Sequence, residues 1–498
     1  MGLSRSKVMS VQGPLITKKG DGRSPISLAG RSGPHTLGPR MMIRLFEQLT
    51  AAIRNRLAKR RRGARSDRGL DLGFRIEDGQ VTRRHVTLST LRRATHLAIL
   101  GKTGTGKSSL VRYLLEQDVR GGRGFLVFDL HGEFIRFLLA LVNSLERELH
   151  THFSGKLQII DPADPISAVG LNPLEQEAPD FVRIAEFAEI LKLRWSLDHF
   201  GARTDELLRN ALYALAAAGL TLLELPLLLS DASFRATCLK QVENREVRQY
   251  FDLRYDRVSD AMRATMAEPV LNKITVFTTD PRFRHILGQA KSTCSIGEAL
   301  DKDYWVIVNL DKGRLGEQAV TFGSLFFTMV KNAIFARQSS TPFSVYCDEI
   351  QNFVAFGSSV ETILSESRKK SVSLVSASQY LDLFPADMRA ALLSTGNQAF
   401  FQLSPSDASH IAEALDGGRT LAERLKNLPQ RHAIVKSGSD RAVEIRVPEV
   451  REPRVDYTDL LNRSRGTWAR PRKLIEREIT ERQDHFGRPV ESIIDDWE

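Results

Sequence analysis

The stretch ILGKTGTGKSSL, residues 99–110, decides the fold class of this chain. It contains the spacing G-x-x-x-x-G-K-[ST], from Gly101 to Ser108, between an apolar strand-like run and an apolar helical run. In such a loop the glycines let backbone N–H groups point at phosphates, and the N-terminus of the next helix adds the positive end of its dipole. The pattern therefore predicts a phosphate-binding loop in which Lys107 reaches the outer phosphates and Ser108 ligates Mg²⁺. The predicted nucleotide-binding residues are Gly101, Lys102, Thr103, Gly104, Thr105, Gly106, Lys107, Ser108 and Ser109.

Seven short apolar runs, rich in β-branched residues and separated by helical stretches, occur along the chain. Such runs indicate an α/β fold with a central, mostly parallel sheet that is covered by helices on both faces. The predicted strands are residues 96–100, 125–130, 157–161, 304–310, 343–349, 372–378 and 399–403.

The pattern divides the chain into five predicted segments. Residues 1–69 form a disordered, basic arm that contains an amphipathic helix. Residues 70–175 and 291–450 form the two parts of a P-loop ATPase domain. Residues 176–290 read as helical almost throughout and form an all-α domain inserted between those parts. Residues 451–498 form a polar C-terminal tail.

The charge of the chain points to a polyanionic partner. Its 71 Lys and Arg residues outnumber its 60 Asp and Glu residues, which gives a formal net charge of +11. Much of this excess lies in residues 54–65, at the end of an amphipathic helix predicted over 42–62. A basic amphipathic helix can contact an anionic membrane surface or a partner protein. A solvated basic arm behind a packing helix is the alternative. The apolar positions of that helix are Met42, Phe46, Leu49, Ile53 and Leu57.

Compartment and redox state follow from what the sequence lacks. No run reaches the roughly 20 apolar residues of a membrane-spanning helix, and no apolar core follows the basic N-terminus as in a secretory signal. The three cysteines have neither the spacing of a disulfide framework nor that of a metal site. We therefore expect a reduced, cytoplasmic protein, with peripheral contact at the inner face of the membrane left open for residues 42–62. The cysteines are Cys238, Cys294 and Cys347.

A second chemical motif is FSVYCDEIQNF, residues 343–353, in which an apolar run ends in two carboxylates. Asp348, at the carboxyl end of a strand, can hold Mg²⁺ through water. The adjacent Glu349 can orient and polarise the water that attacks the outermost phosphate. Because this pair follows the phosphate-binding loop in the order that hydrolysing enzymes need, the sequence predicts a nucleotide hydrolase.

Two more residues near the next predicted strand carry candidate roles. Gln379 follows that strand and can sense the outermost phosphate. The alternative interpretation is that it is simply a polar residue at the end of a strand. Arg368 precedes the same strand and can act as an arginine finger on a neighbouring subunit's nucleotide, or can bind solvent or DNA phosphates. The predicted catalytic residues are thus Glu349, Lys107, Gln379 and Arg368, and the predicted metal ligands are Ser108 and Asp348.

With these motifs in order, residues 70–450 resemble the HerA–FtsK superfamily of DNA-pumping ATPases. Within it they look like type IV secretion coupling proteins of the TraD/TraG kind. FLVFDLHGEF, residues 125–134, is similar to the second-strand signature, in which an acidic residue and a glycine follow the strand. Residues 159–175 are similar to the coupling-protein segment that ends in Asn-Pro-Leu, here residues 172–174. GNQAFFQLSPSDA, residues 396–408, follows in family order.

The resemblance implies a RecA-like P-loop NTPase fold and a homo-hexameric ring with ATP and Mg²⁺ at the subunit interfaces. DNA, single- or double-stranded, would pass through the central pore as ATP is hydrolysed. A relaxase and secretion-channel proteins are the implied partners. Two departures concern the N-terminal region. Coupling proteins usually begin with membrane-spanning helices, and HerA-type translocases carry a small β-barrel for which residues 70–95 are too short.

Three functional hypotheses follow. The leading one is an ATP-driven DNA translocase that acts as a coupling protein in type IV secretion and conjugation. The second is a HerA-like DNA helicase or translocase in end processing or phage defence. The third, from a different class, is a nucleotide-gated scaffold of a secretion complex that does not pump DNA. A relaxase gene beside this one would favour the first, and a nuclease gene would favour the second.

Overall fold

The computed structural model describes residues 69–175, 184–185, 187–189, 191, 201–353 and 359–487. The amphipathic helix predicted over 42–62 and the acidic end of the chain lie outside the described residues. So does part of the predicted helical insert.

The described chain is built around one 11-stranded sheet with the strand order β2-β1-β12-β11-β10-β3-β9-β8-β4-β7-β5. Two further short strands, β6 and β13, pair with each other. The strands are β1 (Leu70–Glu77), β2 (Gln80–Leu88), β3 (Leu97–Leu100), β4 (Gly124–Asp129), β5 (Leu157–Ile160), β6 (Ser167–Ala168), β7 (Trp305–Asn309), β8 (Phe343–Cys347), β9 (Val372–Ser378), β10 (Asn397–Phe400), β11 (His432–Ser437), β12 (Val443–Arg446) and β13 (Arg470–Pro471).

The seven strands from β10 to β5 in that order pair in parallel with one another, and each corresponds to one of the seven predicted runs. Strands such as β4 are buried at every residue, because helices cover both faces of the sheet. The predicted α/β class with a mostly parallel sheet is therefore confirmed. The sequence did not reveal that β11, β12, β1 and β2 extend this sheet with antiparallel pairings.

Helices make up most of the rest of the described chain. They are α1 (Thr90–Arg93), α2 (Lys107–Gly121), α3 (Glu133–Leu149), α4 (Gly201–Ala217), α5 (Leu225–Ser230), α6 (Ala232–Leu239), α7 (Arg245–Gln249), α8 (Asp260–Thr279), α9 (Pro281–Leu287), α10 (Ile296–Asp301), α11 (Lys312–Leu315), α12 (Gln318–Ala336), α13 (Ser359–Glu366), α14 (Ala386–Leu393), α15 (Pro405–Ala414), α16 (Gly418–Lys426), α17 (Thr458–Trp468) and α18 (Arg472–Gly487). A π-helix spans Tyr250–Tyr255, and 3₁₀ turns lie at Leu222–Glu224, Ile350–Asn352, Ser367–Lys370 and Leu381–Leu383.

The helical segment between β6 and β7 shares a hydrophobic core with one face of the sheet. Phe128 of β4 and Val306 of β7 belong to the same buried cluster as Leu207 of α4 and Phe277 of α8. The other face of the sheet packs on α2 and α3, where Leu114 is among the residues that form a second cluster. The described helices share one buried cluster with the sheet and do not form a separate core. The domain boundaries predicted at 176 and 290 therefore stay predictions.

The predicted C-terminal tail is part of the folded body as far as Gly487. Ile475 and Ile479 of α18 are buried in the core cluster of the helical segment. Arg482, on the same helix, contacts the fully buried carboxylate of Glu224 at 2.9 Å. A polar composition concealed this docking, since polar and charged residues outnumber the buried apolar side chains of α18.

One described helix, α12, is long and apolar enough by length and composition to cross a membrane. It has 19 residues, and half of its most apolar 18-residue stretch is buried inside the protein. Its aromatic side chains pack in the core, with Phe326 at 5.9 Å from Phe128 and Phe322 at 5.3 Å from Phe283 between ring centroids. The segment does not stand out in the sequence as an apolar run, because polar residues interrupt it.

A buried ion cluster ties α2 to β8. The carboxylate of Asp118, near the end of α2, is fully buried and is bound by the guanidinium groups of Arg93 and Arg123. The Tyr346 hydroxyl, on β8, donates to the same carboxylate at 2.7 Å. Burial alone would raise the pKa of Asp118, but the two guanidinium groups hold it below its usual value. The cluster fixes α2 against β8, the strand that leads to Asp348.

His96, directly before β3, is a second buried ionisable group. It is 4% exposed, and its Nδ1 accepts the backbone N–H of Leu374 at 3.0 Å. Burial lowers its pKa to about 4, well below the usual 6.5. The imidazole is therefore neutral in the folded chain at neutral pH.

This depressed pKa predicts a loss of stability in acid. The unfolded chain binds a proton at His96 near pH 6.5, whereas the folded chain does so only near pH 4. The contribution of His96 to the unfolding free energy is therefore complete above pH 6.5 and is lost as the pH falls toward 4. The loss amounts to about 3 kcal/mol of unfolding free energy. His96→Asn, which tolerates the left-handed φ of +66° at this position, removes the titration. Denaturant unfolding between pH 7 and 4.5 should show a shallower decline for the variant, and equal declines would contradict the assignment.

Candidate nucleotide-binding site

The predicted phosphate-binding loop lies between β3 and α2, at the carboxyl edge of the parallel strands. Gly104 and Gly106 have φ values of +76° and +119°, which residues with a side chain rarely adopt. A Cβ atom on Gly106 would lie 2.9 Å from the Cα atom of Arg431, and one on Gly101 would lie 2.6 Å from the Cβ atom of Phe401. The glycines are thus required both by backbone conformation and by the close approach of the neighbouring loops.

Lys107 is the first residue of α2 and is only 7% exposed. Its Nζ atom donates to the carbonyl oxygens of Gly101 and Lys102, at 2.6 and 3.0 Å, so the ammonium group lies inside the curve of the loop. Burial lowers the pKa of Lys107, and the nearby charges of Asp348 and Glu349 oppose that shift. The loop therefore surrounds a cation, and the carboxylates near this cation directly follow another strand, β8.

Those partner charges follow β8. The Ser108 hydroxyl, in the first turn of α2, donates to Oδ2 of Asp348 at 3.2 Å. Burial raises the pKa of Asp348, and the charge of Lys107 counteracts this rise. The two oxygen atoms of Ser108 and Asp348 thus converge beside the phosphate-binding loop. Hard oxygen ligands, few in number and beside a phosphate site, suit Mg²⁺.

Glu349 is held by hydrogen bonds at both carboxylate oxygens. Gln379 Nε2 donates to Oε1 at 2.9 Å, and Asn352 Nδ2 donates to Oε2 at 3.3 Å. Nε2 of His131 lies 3.5 Å from Oε1. The backbone of Glu349 has φ of +53°, an uncommon conformation for a residue with a side chain. Strained backbone of this kind clusters at functional sites.

The order of the sheet explains why Gln379 reaches this position. Strand β9 lies between β3 and β8, with Leu100 paired to Ser378 and Cys347 paired to Ser376. The residues that follow these strands therefore leave the sheet side by side at one edge. The structure thus brings together Lys107, Ser108, Asp348, Glu349 and Gln379 from among the predicted site residues.

Arg368 is the predicted catalytic residue that lies apart from this group. It is exposed on the 3₁₀ turn that precedes β9, so it lies at the opposite edge of the sheet from the phosphate-binding loop. The seven residues of β9 separate the two edges, about 20 Å at the usual rise per residue. Arg368 can therefore serve the nucleotide of another subunit or an external phosphate, but not the loop of its own chain.

Sequence reasoning missed two groups that contact the predicted site. The first comprises His131, Asn352 and Lys312, which surround Glu349 or hold a residue that does. His131 follows β4 directly, and since β4 pairs with β8 it could have been assigned to the same edge of the sheet. Asn352 lies inside the quoted acidic motif but has no motif role of its own. Nothing in the sequence around Lys312 indicates that it lies near Asn352.

The second missed group is the loop at Gln430 and Arg431. The backbone N–H of Arg431 donates to the Thr105 carbonyl at 2.7 Å, and Gln430 Nε2 donates to the Gly104 carbonyl at 3.1 Å. These contacts hold the outer side of the phosphate-binding loop. Both contacts engage carbonyl groups, whereas a phosphate cradle uses the backbone N–H groups of its loop.

Comparisons with known proteins agree with this geometry. The family profile described as "Helicase HerA, central domain" matches residues 79–322. The DNA double-strand break repair helicase HerA of Sulfolobus acidocaldarius is 42% identical over 65 residues, which is 13% of this chain and 13% of that protein. The matched sequence thus spans only a small part of this curated relative.

Several solved structures share the fold. The plasmid coupling protein TrwB in complex with the ATP analogue ADPNP superimposes with a TM-score of 0.56 at 16% identity, over 77% of this chain and 96% of that chain. VirB4 of Thermoanaerobacter pseudethanolicus superimposes with a TM-score of 0.51 at 16% identity, over 77% of this chain and 97% of that chain. The family profile thus matches just under half of the chain, and the chain shares the fold of the coupling protein TrwB and of VirB4.

Proposed function

We propose that this chain binds ATP with Mg²⁺ and hydrolyses it, and that hydrolysis drives DNA movement. The observation that carries the proposal is the contact between Ser108 and Asp348 at 3.2 Å beside the buried Lys107. It brings Lys107 and Ser108, at the start of α2, together with Asp348, which directly follows β8. TrwB has been solved in complex with the ATP analogue ADPNP and in complex with ADP and Mg²⁺, which supports the same ligands here.

In this proposal each residue has a task that its position permits. The N–H groups of the loop and the ammonium of Lys107 bind the phosphate oxygens. The Ser108 hydroxyl and the Asp348 carboxylate would hold the metal ion. Bound Mg²⁺ supplies charge that stabilises the phosphoryl group during transfer.

Glu349 acts as the general base. A carboxylate oxygen of Glu349 takes the proton of the attacking water, and its position is set by Gln379 and Asn352. Gln379 links the loop edge to Glu349, which supports its predicted role in relaying the presence of the outermost phosphate. Positioned general bases accelerate such steps by about 10²- to 10⁴-fold.

We propose that several copies of the chain form a homo-hexameric ring that translocates DNA as a type IV secretion and conjugation coupling protein. The similarity of the fold to TrwB supports this pathway, and the net charge of +11 supports a DNA partner. Arg368, at the edge remote from its own loop, would act on the nucleotide of a neighbouring subunit. A relaxase and channel proteins are the proposed partners. The proposed location is cytoplasmic, with peripheral membrane contact through residues 42–62.

A HerA-like helicase or translocase in end processing or phage defence is the second candidate. The profile match to the HerA central domain and the 65-residue match to a HerA helicase favour it. Both candidates share the ATPase site, so they differ in the proteins that recruit the chain.

ATPase measurements with DNA test the shared part of the proposal. Turnover of the purified chain should rise when single- or double-stranded DNA is titrated in. The stimulation should weaken between 50 and 200 mM salt, because phosphate contacts release counterions. The mass of the particle, measured by light scattering, should increase with nucleotide toward that of a hexamer. Turnover that is indifferent to both kinds of DNA would contradict the proposal and favour a nucleotide-gated scaffold.

A further inference from the structure

We propose that Lys312 is a positioning residue for Glu349, acting through the side-chain amide of Asn352. The inference rests on the proposed function, in which Glu349 activates water. It assigns a role to a lysine that belongs neither to the phosphate-binding loop nor to the acidic motif.

The geometry forms a chain of three side chains. Lys312 Nζ donates to Asn352 Oδ1 at 2.8 Å. Asn352 Nδ2 donates to Glu349 twice, to the backbone oxygen at 3.0 Å and to Oε2 at 3.3 Å. Asn352 thereby uses its acceptor on the lysine and its donors on the glutamate.

The chemistry of these groups allows one orientation of the amide. An ammonium group can only donate hydrogen bonds, so it must face the amide oxygen of Asn352. The carbonyl and carboxylate oxygens of Glu349 can only accept, so they must face the amide nitrogen. Rotation of the amide by half a turn would place oxygen against oxygen on one side and NH₂ against ammonium on the other. Lys312 therefore locks the orientation in which Asn352 holds Glu349.

Lys312 is itself placed by the sheet. It begins α11 just after β7, and its backbone N–H donates to the carbonyl oxygen of Leu130, just after β4, at 3.0 Å. The half-buried side chain then reaches across to Asn352, beyond the end of β8. Lys312 thus connects the carboxyl ends of three neighbouring strands at the edge where Glu349 lies. Small displacements of a catalytic group cost large factors in rate, so the loss of this lock should be visible in turnover.

Steady-state kinetics of Lys312 variants test the inference. Lys312→Met should lower kcat about tenfold while KM and the affinity for a fluorescent ATP analogue stay within about twofold. Lys312→Arg, which still donates to the amide oxygen, should restore kcat to within about threefold of the native value. Lys302→Met is the matched control, since Lys302 is an exposed lysine paired with Glu298, and its kcat should not change.

A double variant tests whether Lys312 acts through Asn352. Asn352→Leu alone should also lower kcat, and adding Lys312→Met to it should cause no further loss. A crystal structure of Lys312→Met should show the Asn352 amide turned away from Oε2 of Glu349. The inference is overturned if Lys312→Met has native kcat, if its loss persists undiminished in the Asn352→Leu background, or if affinity falls in parallel with kcat.

The outcome can be separated from failure of the proposed function. If Glu349→Gln turns over at the native rate, the proposed role of Glu349 fails, and this inference fails with it. If Glu349→Gln is inactive while Lys312→Met is fully active, only the positioning role of Lys312 is refuted.

Discussion

Replacing Glu349 with glutamine should slow ATP hydrolysis by about 10²- to 10⁴-fold while nucleotide still binds. The glutamine keeps the size of the side chain but cannot take a proton from water. Lys107 and the loop are unchanged in this variant, so the phosphate contacts remain. Single-turnover hydrolysis and titration of a fluorescent ATP analogue measure the two quantities separately.

Glu298→Gln is the matched control for this experiment. Glu298 is a partly exposed carboxylate paired with Lys302, remote from β8 in the chain, and its loss should leave both quantities unchanged. An unimpaired rate in Glu349→Gln would remove Glu349 from the mechanism. A loss of nucleotide affinity in that variant would instead indicate a structural role.

Lys107→Ala should abolish both tight nucleotide binding and turnover. The ammonium group lies inside the loop, held by the carbonyl oxygens of Gly101 and Lys102, where it would contact phosphate oxygens. Two charge-assisted hydrogen bonds are worth enough to lower affinity by roughly 100-fold or more. Titration with the same fluorescent analogue measures the affinity, and a coupled ATPase assay measures turnover.

Loss of activity in Lys107→Ala is informative only if the variant folds. Its circular dichroism and thermal midpoint should resemble those of the native chain, because the carbonyl partners of Lys107 can take water in its place. Full ATPase activity in a folded Lys107→Ala variant would refute the role assigned to the lysine.

The sequence predicted the parallel part of the sheet well, for a physical reason. Strands buried on both faces are continuous apolar runs, and each of the seven runs became one of the strands from β10 to β5. The phosphate-binding loop was equally visible, because Gly104 and Gly106 occupy left-handed backbone positions that leave a local mark in the sequence.

Interactions between distant segments could not be predicted. The sequence suggested that Gln379 follows a neighbouring strand, but only the order β3-β9-β8 shows that it reaches Glu349. The antiparallel strands β11 and β12 were not predicted, and their places in the sheet depend on pairing with β10 and β1. Lys312 lies 40 residues before Asn352, and its contact depends on three strands ending together.

Average composition is a poor guide to burial where a few apolar contacts outweigh many polar residues. The polar segment α18 docks through Ile475 and Ile479, which a reading of average polarity passes over. The opposite effect hid α12, whose Gln, Lys and Asn residues interrupt a helix that is otherwise apolar enough to form core. In both cases the spacing of apolar residues, rather than their number, determines which face is buried.

The most direct test of the account asks whether ATP hydrolysis moves the chain along DNA. Single- and double-stranded DNA carrying biotin at one end and blocked by streptavidin would be mixed with the chain and ATP. We predict that the native chain displaces streptavidin from at least one of these substrates in an ATP-dependent manner, and that Glu349→Gln does not. DNA-stimulated hydrolysis without displacement from either substrate would contradict translocation.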